Sequence, residues 1–404
     1  MAKTIAIVGT LDTKGREFAF LKAELEKRGC RTLVIDVGIL GSPQFRPDVS
    51  AEEVAAAGRA RLADMIARHD RGEAMTVMNR GAAVVVRKLH GANKFDGIIS
   101  MGDSGGSGIA SRAMRALPVG VPKLLVSTVA SGDTSPYVGT SDITMMPSIV
   151  DVAGLNRISR TVFSNAAGAI CGMVTTEVGE SAEDKLLIAT TMFGNTTRAV
   201  DDARKIMEQR GYEVLVFHAT GTGGRTMEML IENGYFVGVL DMTTTEWADE
   251  VCGGALSAGP TRLEAAAKAA IPQVVIPGCI DMCNFAGPDS VPSKYKDRLL
   301  YRWNPNVTLM RTTVEENARM GKIFAQKLNV AKGPVAVFIP MGGFSELDYP
   351  GGPFWWPEAD EAFADALKKH LRSDIPVEIS DKDVNHTEFS SRAAEKLIEF
   401  VKNK

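Results

Sequence analysis

The distribution of apolar and polar positions predicts alternating strands and helices along the chain. At the start, Thr4–Val8 is an apolar, β-branched run of strand length, and a turn that begins and ends in glycine follows it. Phe18–Arg28 then repeats apolar residues at helical spacing before a second strand at Thr32–Asp36. Strands that alternate with helices form a parallel sheet, which binds ligands at the carboxyl ends of its strands. The pattern therefore predicts an α/β fold with its chemistry in the loops after the strands.

The alternation continues through the first half of the chain. Ser50 and Glu53 have the spacing of a capping box, which predicts a helix running towards His69. Another helix is predicted from Thr76 to His90, and a short one ends near Pro118. Two further strands are predicted, Gly97–Ser100 and Lys123–Ser127.

A polar segment without periodicity, Glu177–Lys185, marks the predicted domain boundary, and the opening pattern recurs after it. The end of the first helix and the second strand, Glu26–Asp36, read almost like Glu208–His218 in the second half. The glycine-rich loop Met101–Gly108 has a counterpart in Ala219–Thr226 on the same basis. We therefore predict two Rossmann-like, doubly wound lobes, residues 1–180 and 185–404, with a ligand cleft between them.

Composition narrows the class of protein. Of the 404 residues, 45% are hydrophobic and 24% are charged, and the net charge of −3 without basic runs argues against a nucleic-acid partner. The longest weakly charged stretch, Ile143–Met173, is interrupted by charged residues, and no secretory signal is recognised at the start. The five cysteines form no paired framework and fit reduced thiols. We expect a cytoplasmic protein with neither a membrane nor a nucleic acid as its partner.

The loop MGDSGGSG, between a strand and a helix, carries the strongest chemical signal. Small residues let backbone N–H groups approach phosphate oxygens at a helix N-terminus. Asp103 is a candidate magnesium ligand. The alternative is a tight turn, but this many glycines and serines exceed what a turn requires. The predicted phosphate contacts are Gly102, Asp103, Ser104, Gly105, Gly106 and Ser107.

Two other loops of the first half are candidates for the same ligand. GTLDTKG has neither Walker A nor GxGxxG spacing, yet Lys14 can reach a phosphate and Asp12 or Thr13 a sugar or metal. Its alternative interpretation is a helix start capped by Asp12 or Thr13. The long polar loop Ser127–Asp142 is the other candidate. The predicted contacts from these regions are Gly9, Thr10, Asp12, Thr13, Lys14, Asp36, Ser131, Gly132 and Asp133.

In the second half, polar residues that follow apolar runs are candidates for catalysis. Glu246 and Asp281 are the predicted general acid/base groups, Arg262 the substrate anchor, and His218 a further candidate at a strand end. The alternative is structural: Glu246 caps a helix, Asp281 holds a loop through backbone hydrogen bonds, and His218 is an ordinary polar residue. Cys279, Asp281 and Cys283 match no zinc spacing, which argues against thiolate ligation of a metal.

These motifs resemble a known family. IVGTLDTKG, GDSGGSG, STVASGD, YVGTSDITMM, LDMTTTE, AGPTRLEAA and PGCIDM are similar to the ATP-binding family typified by the tomato mosaic virus resistance protein, over essentially the whole chain. The resemblance implies two Rossmann-like lobes, ATP binding in the first, and a homodimer or higher homo-oligomer. The plant member has a further barrel domain, for which this chain is too short, and virus inhibition is not implied.

Three functions remain open at this point. The first is an ATP-dependent enzyme that acts with magnesium on a small polar metabolite in the cleft between the lobes. The second is a nucleotide-sensing protein that regulates a protein partner without turnover. The third is a nicotinamide-dependent oxidoreductase in which Asp36 reads a ribose, although the glycine fingerprint for that cofactor is missing.

Overall fold

In a computed structural model, the protein is described for residues 2–177, 179 and 184–403. Its internal contacts divide the chain into two compact units, Met1–Glu180 and Ser181–Lys404. Most of the predicted boundary segment 177–185 lies outside the described residues. No helix in the described part is long and apolar enough to cross a membrane.

The first unit contains one five-stranded parallel sheet with helices on both faces, in the strand order β2-β1-β3-β4-β5. Its elements are, in chain order, β1 (Thr4–Gly9), α1 (Gly15–Lys27), β2 (Arg31–Asp36), α2 (Ala51–Ala57), α3 (Leu62–Arg68), α4 (Arg71–Gly91), β3 (Gly97–Gly102), α5 (Ser104–Met114), β4 (Lys123–Ser127), α6 (Ser135–Val138), β5 (Thr144–Pro147) and α7 (Arg157–Thr175).

The predicted helix from Ser50 towards His69 is two helices, α2 and α3. The capping box at Ser50 and Glu53 is present, but the chain leaves the helix at Gly58, and Arg59 has a φ of 65°. The predicted helix Thr76–His90 begins earlier, at Arg71, because the Asp70 side chain accepts the backbone N–H of Glu73 and caps it there. This break and this early start place α3 and α4 at the edge of the site described below.

The second unit has the same plan with an additional small sheet. Its six-stranded parallel sheet has the order β14-β13-β9-β8-β6-β7, and three antiparallel strands pair as β10-β12-β11. Its strands and helices are, in chain order, β6 (Leu187–Met192), α8 (Thr197–Gln209), β7 (Glu213–His218), α9 (Thr222–Glu232), β8 (Phe236–Thr243), α10 (Glu246–Cys252), α11 (Ala265–Ala269), β9 (Gln273–Gly278), β10 (Met282–Phe285), β11 (Leu300–Asn304), β12 (Val307–Arg311), α12 (Val314–Leu328), β13 (Val335–Pro340), α13 (Pro357–His370), β14 (Val377–Ser380) and α14 (Thr387–Lys402).

The prediction of an α/β fold with two Rossmann-like units is confirmed. The predicted correspondence between the glycine-rich loops is wrong, because they follow different strands of their sheets. Met101–Gly108 follows the third strand of its unit, whereas Ala219–Thr226 follows the second, β7. The topological counterpart of the first loop is the segment after β8, which contains Glu246. The antiparallel sheet also went unpredicted, since β11 and β12 are short and separated from the doubly wound pattern.

Candidate functional site

A candidate ligand site of the first unit lies at the switch point of its sheet. In a sheet of order 2-1-3-4-5, the connections from β1 and β3 leave towards opposite faces, which opens a crevice between their carboxyl ends. A cavity of about 530 Å³ lies there, which we call the β1–β3 cavity. Its walls come from the loops after β1, β2 and β3 and from α3 and α4. This volume is within the range of small-molecule sites.

One side of the β1–β3 cavity is apolar. Leu40 is 80% exposed and Ile66 45% exposed, although both are large hydrophobic residues. Such side chains at a cavity rim offer a flat apolar surface for a ring. The residues that form this side are Val37, Ile39, Leu40, Met65, Ile66, Ala74, Met75, Met78 and Ile109.

The other side carries two cations, Lys14 and Arg71, together with the carboxylates of Asp12, Asp70 and Asp103. Lys14 and Arg71 both line it, together with Gly105 and Gly106 in the first turn of α5. Arg71 forms no ion pair within the described part of the chain, and it occupies the first position of a 21-residue helix. The carboxylate of Asp70 already caps the N-terminus of this helix, so what this side offers to an anionic group is the guanidinium of Arg71.

Asp103 caps α5 and so occupies part of the predicted phosphate loop. Its Oδ1 accepts the backbone N–H groups of Gly105 at 3.0 Å and Gly106 at 3.1 Å, and its Oδ2 lies 3.7 Å from Lys14 Nζ. Lys14 Nζ also donates to the carbonyl oxygen of Val152 at 2.5 Å. Because Gly105 and Gly106 have no side chains, space for a ligand remains above them. Their N–H groups, however, already donate to the Asp103 carboxylate.

The loop after β1 reaches the cavity with four predicted residues, and others nearby hold it in place. Thr10, Asp12, Thr13 and Lys14 line the cavity, and both Asp12 oxygens accept backbone N–H groups, from Thr13 and Leu40, at 2.7 Å each. Gly9 ends β1, and a Cβ there would lie 2.4 Å from the Phe18 ring.

Asp36 is 2% exposed, and its Oδ1 accepts the N–H groups of Leu11 and Gly38. Burial raises the pKa of the Asp36 carboxyl above its usual range. The carboxylate predicted to read a ribose is thus committed to the loop backbone, which leaves the nicotinamide interpretation without its sugar contact.

A second cavity, of about 490 Å³, lies at the carboxyl ends of β3, β4 and β5, and we call it the β4–β5 cavity. Of the predicted residues, Asp103, Ser104 and Ser131 line it. Gly132 and Asp133 are exposed beside it, and Asp133 accepts the N–H of Ser135. The last two predicted phosphate contacts, Gly102 and Ser107, lie inside the fold. Gly102 ends β3, and the buried Ser107 hydroxyl lies 2.6 Å from the Ser127 hydroxyl.

In the second unit, two of the predicted catalytic residues form a buried ionic network. Arg262 is 1% exposed and binds Asp241 through two hydrogen bonds, of 2.6 and 2.7 Å. The same guanidinium donates to Glu246 Oε2 at 2.7 Å and to Glu228 at 3.2 Å. Three carboxylates thus surround one guanidinium away from solvent, and burial raises the pKa of Glu228, which holds Arg262 at the longest of these distances.

Glu246 has a structural role that the sequence left as an alternative. Its Oε1 accepts the N–H groups of Gly221 at 2.7 Å and Gly224 at 3.0 Å. A Cβ on Gly224 would lie 2.1 Å from Glu246 Oε2, so a glycine is required for this approach. An internal carboxylate therefore occupies the N-terminus of α9, where a phosphate was conceivable from the glycine pattern alone.

Asp281 belongs to another buried cluster. Its Oδ2 accepts the hydroxyl of Ser345 at 2.7 Å, while its Oδ1 has no hydrogen-bond partner among the described residues. Burial, reinforced by the nearby Asp348, raises the pKa of Asp281 to about 7. Burial also raises the pKa of Asp360, to about 8, although Arg311 lies 2.8 Å from it. The carboxyl groups of Asp281 and Asp360 are therefore partly protonated near neutral pH.

The Asp281→Asn substitution is expected to reduce the pH dependence of stability. Between its ordinary pKa of 3.8 and its folded pKa of about 7, this carboxyl binds a proton more tightly in the folded state. The free energy of unfolding therefore falls as pH rises through that window, by up to about 1.4 kcal/mol per pH unit for one carboxyl. Urea unfolding at several pH values should show a shallower decline for Asp281→Asn. The exposed Asp381→Asn is the control, and equal slopes for all three proteins would contradict the assignment.

Of the remaining second-unit candidates, His218 belongs to neither cluster, whereas the Cys279 thiol lies near Asp281 and Asp348. His218 is exposed at the end of β7, with its ring stacked on Phe193 at 5.6 Å between centroids. Cys279 and Cys283 are buried, and burial raises the pKa of the Cys279 thiol. No group of three or more His, Cys, Asp or Glu side chains among the described residues has a geometry that could hold a metal.

Sequence reasoning missed Arg71 and the apolar side of the β1–β3 cavity. Arg71 precedes the glycine-rich loop by 30 residues, and only the packing of α4 against α5 brings the two together. Its one sequence signal was a basic residue directly after the cap Asp70, in the first turn of a helix. Met65 and Ile66 could not be recognised as cavity residues from the sequence, because apolar residues in a short amphipathic helix are typical of an ordinary hydrophobic core.

Family models match both halves of the chain. Residues 3–179 match the N-terminal domain, and residues 185–401 the C-terminal domain, of the Uncharacterised protein family (UPF0261). A UPF0261 protein from Clostridium tetani is 52% identical over 402 residues, covering 99% of this chain and all of that protein. The ToMV susceptible protein tm-1(GCR26) of Solanum lycopersicum is 40% identical over 336 residues, which cover 81% of this chain but 45% of the tomato protein.

Solved structures give a more distant likeness. A UDP-N-acetylglucosamine 2-epimerase from Rickettsia bellii aligns over 100% of this chain and 96% of its own, with 11% identity and a TM-score of 0.24. The Streptomyces glycosyltransferase SsfS6 aligns over 68% of this chain and 82% of its own, with 14% identity and a TM-score of 0.21.

Proposed function

Because this chain belongs to the Uncharacterised protein family (UPF0261), its function has to be inferred from its own site, and we propose that the first unit binds ATP in the β1–β3 cavity. The observation that supports this most directly is that the cavity combines apolar side chains with a polar wall on which Lys14 and Arg71 lie. A nucleotide has the same combination, with a flat base at one end and phosphates at the other. The resemblance of the loop sequences to an ATP-binding family supports the same ligand.

The apolar side receives the base, between Leu40 on one loop and Ile66 on α3. The triphosphate lies towards Lys14 and Arg71, over the first turn of α5. Lysine supplies a compact point charge, and arginine supplies a planar fork that matches phosphate oxygens. Since Asp103 already accepts the N–H groups of Gly105 and Gly106, the two cations contribute more to phosphate binding than these two amides do.

Magnesium enters the proposal only with the nucleotide. Asp103 Oδ2 accepts no hydrogen bond from the described residues and is a carboxylate oxygen of the kind that suits a hard cation. Mg²⁺ commonly takes one or two protein carboxylates and fills its remaining positions with phosphate oxygens and water. Asp103 fits that limited role, and a bound magnesium ion would neutralise phosphate charge there.

Removal of Lys14 should weaken ATP binding much more than adenosine binding. The Lys14→Ala variant loses a charge-assisted contact worth about 1.5–3 kcal/mol, which corresponds to roughly 10- to 100-fold in the dissociation constant for ATP. Isothermal titration calorimetry with ATP and with adenosine measures the two losses. Lys22→Ala, on the same helix but outside the cavity, is the matched control. Equal losses for both ligands would place the phosphates elsewhere.

The proposal continues to an ATP-dependent enzyme that acts on a small polar metabolite. The β4–β5 cavity supports this, because Asp103 lines both cavities and a second ligand would lie beside the nucleotide. Release of ADP or phosphate in the presence of metabolite mixtures tests turnover directly.

A nucleotide sensor is the second candidate, and one contact favours it. Lys14 Nζ binds the Val152 carbonyl in the loop after β5. A triphosphate that draws Lys14 towards itself would release that loop. If the protein is a sensor, ATP should change the rate at which a protease cleaves this loop, and the ATP should not be hydrolysed.

A further inference from the structure

The β4–β5 cavity is lined by hydroxyl and carboxyl groups. Thr128, Ser131 and Ser148 contribute hydroxyls, and Asp103 and Asp151 contribute carboxylates. No lysine or arginine is among the residues that line this cavity in the described part of the chain. Lys14 Nζ lies 3.7 Å from Asp103 Oδ2, so Asp151 is the carboxylate of this lining that has no ionic partner among the described residues. Its charge disfavours an anionic group beside it, whereas its oxygens accept hydrogen bonds from a ligand that donates several.

Several of these groups are free to bind. In the described part of the chain, the Thr128 and Ser131 hydroxyls and the Asp151 carboxylate have no hydrogen-bonding or ionic partner. Carboxylates accept hydrogen bonds from sugar hydroxyls and pair with amines. A volume of about 490 Å³ admits a small molecule with room for water.

The rim of the cavity holds a strained residue. Ile149 has a φ of 65°, and the N–H of Val150 donates to the Ser148 carbonyl at 2.8 Å, which closes a tight γ-turn around it. This conformation is strained for a β-branched residue, and Ile149 is 72% exposed, so core packing does not offset the strain. An apolar side chain held over a polar cavity suits the C–H face of a sugar ring.

We propose that the β4–β5 cavity binds a small polyhydroxylated molecule, uncharged or carrying an amine, as the second substrate beside the nucleotide. Its position beside ATP rests on the function proposed above, whereas binding in this cavity does not. Hydroxyls of the ligand donate to Asp103 and Asp151, its ring lies under Ile149, and the hydroxyls of Thr128 and Ser131 complete the polar wall.

A charge series on one scaffold tests the ligand class without nucleotide. Glucose, glucosamine and glucuronate are neutral, cationic and anionic forms of one ring, and each is titrated into the full chain by ligand-observed NMR. Glucose and glucosamine are expected to bind in the millimolar range and glucuronate at least tenfold more weakly. Glucuronate binding as tightly as glucose, or no binding by any of the three, would overturn the proposal.

Variants of the cavity locate the binding. Asp151→Asn is expected to weaken glucosamine about tenfold and more than it weakens glucose, and Ile149→Gly to weaken both while relieving strain. Asp365→Asn, an exposed carboxylate on α13 in the other unit, is the control. Unchanged affinities in both cavity variants would refute the location.

ATP binding is titrated separately in the same proteins. Sugar binding without ATP binding would refute the nucleotide proposal alone, and ATP binding without sugar binding would refute this inference alone.

Discussion

Replacing Gly105 by valine is expected to reduce ATP affinity by about 100-fold or more, which is ~3 kcal/mol, without loss of the fold. A Cβ at this position would lie 3.4 Å from Asp103 Oδ1 and 3.5 Å from Arg71 Nη2, which are ordinary contact distances. The backbone at Gly105 needs no positive φ, and valine has a higher helix propensity than glycine. The protein therefore tolerates the side chain, while the γ-methyl groups occupy the space assigned to phosphate.

Gly108→Val is the matched control for this experiment. Gly108 lies one turn further along the same helix, outside the cavity lining, and a Cβ there meets no heavy atom within 4 Å. Calorimetry should show ATP affinity lost in Gly105→Val and retained in Gly108→Val, and both should melt near the temperature of the parent protein. If Gly105→Val binds ATP normally, the phosphates do not lie over α5.

Glu246→Gln is expected to destabilise the second unit by about 2 kcal/mol while leaving ATP affinity unchanged. The substitution removes a charge-assisted hydrogen bond to Arg262, which costs about 1.5–3 kcal/mol, while Asp241 and Glu228 still pair with the guanidinium. The new amide can retain one acceptor for the N–H groups of Gly221 and Gly224, which places the expected loss at the lower end. Its amide nitrogen would face the Arg262 guanidinium instead of a carboxylate.

Denaturant unfolding followed by a probe in the second unit measures this loss. Glu232→Gln, exposed at the end of α9, should change the free energy of unfolding by less than about 0.5 kcal/mol. A catalytic Glu246 would behave in the opposite way, with turnover lost and stability retained. That outcome would restore the acid/base role predicted from the sequence and refute the structural one.

Local patterns predicted the framework of the molecule well. Apolar runs of strand length and helices at 3.6-residue spacing determine the order of elements, and parallel sheets bring strand ends to one edge. For that reason the loops at Gly9–Gly15 and Met101–Gly108 were placed near one another without any structure. The predicted contacts of ATP with these loops stay predictions.

Tertiary structure decided what each polar residue faces. Glu246 and Asp281 follow strands as predicted, whereas the prediction is wrong for Arg262, which lies between α10 and α11. All three are buried, because partners distant in sequence enclose them. Arg71 is a candidate ligand contact only because α4 packs against α5. The Asp36 carboxylate instead accepts backbone N–H groups from the loops after β1 and β2 and is committed to them. Burial and pairing of side chains arise from long-range packing, which local periodicity does not encode. The sequence therefore determined where along the sheet the candidate site is expected, and the three-dimensional structure determined which residues belong to it.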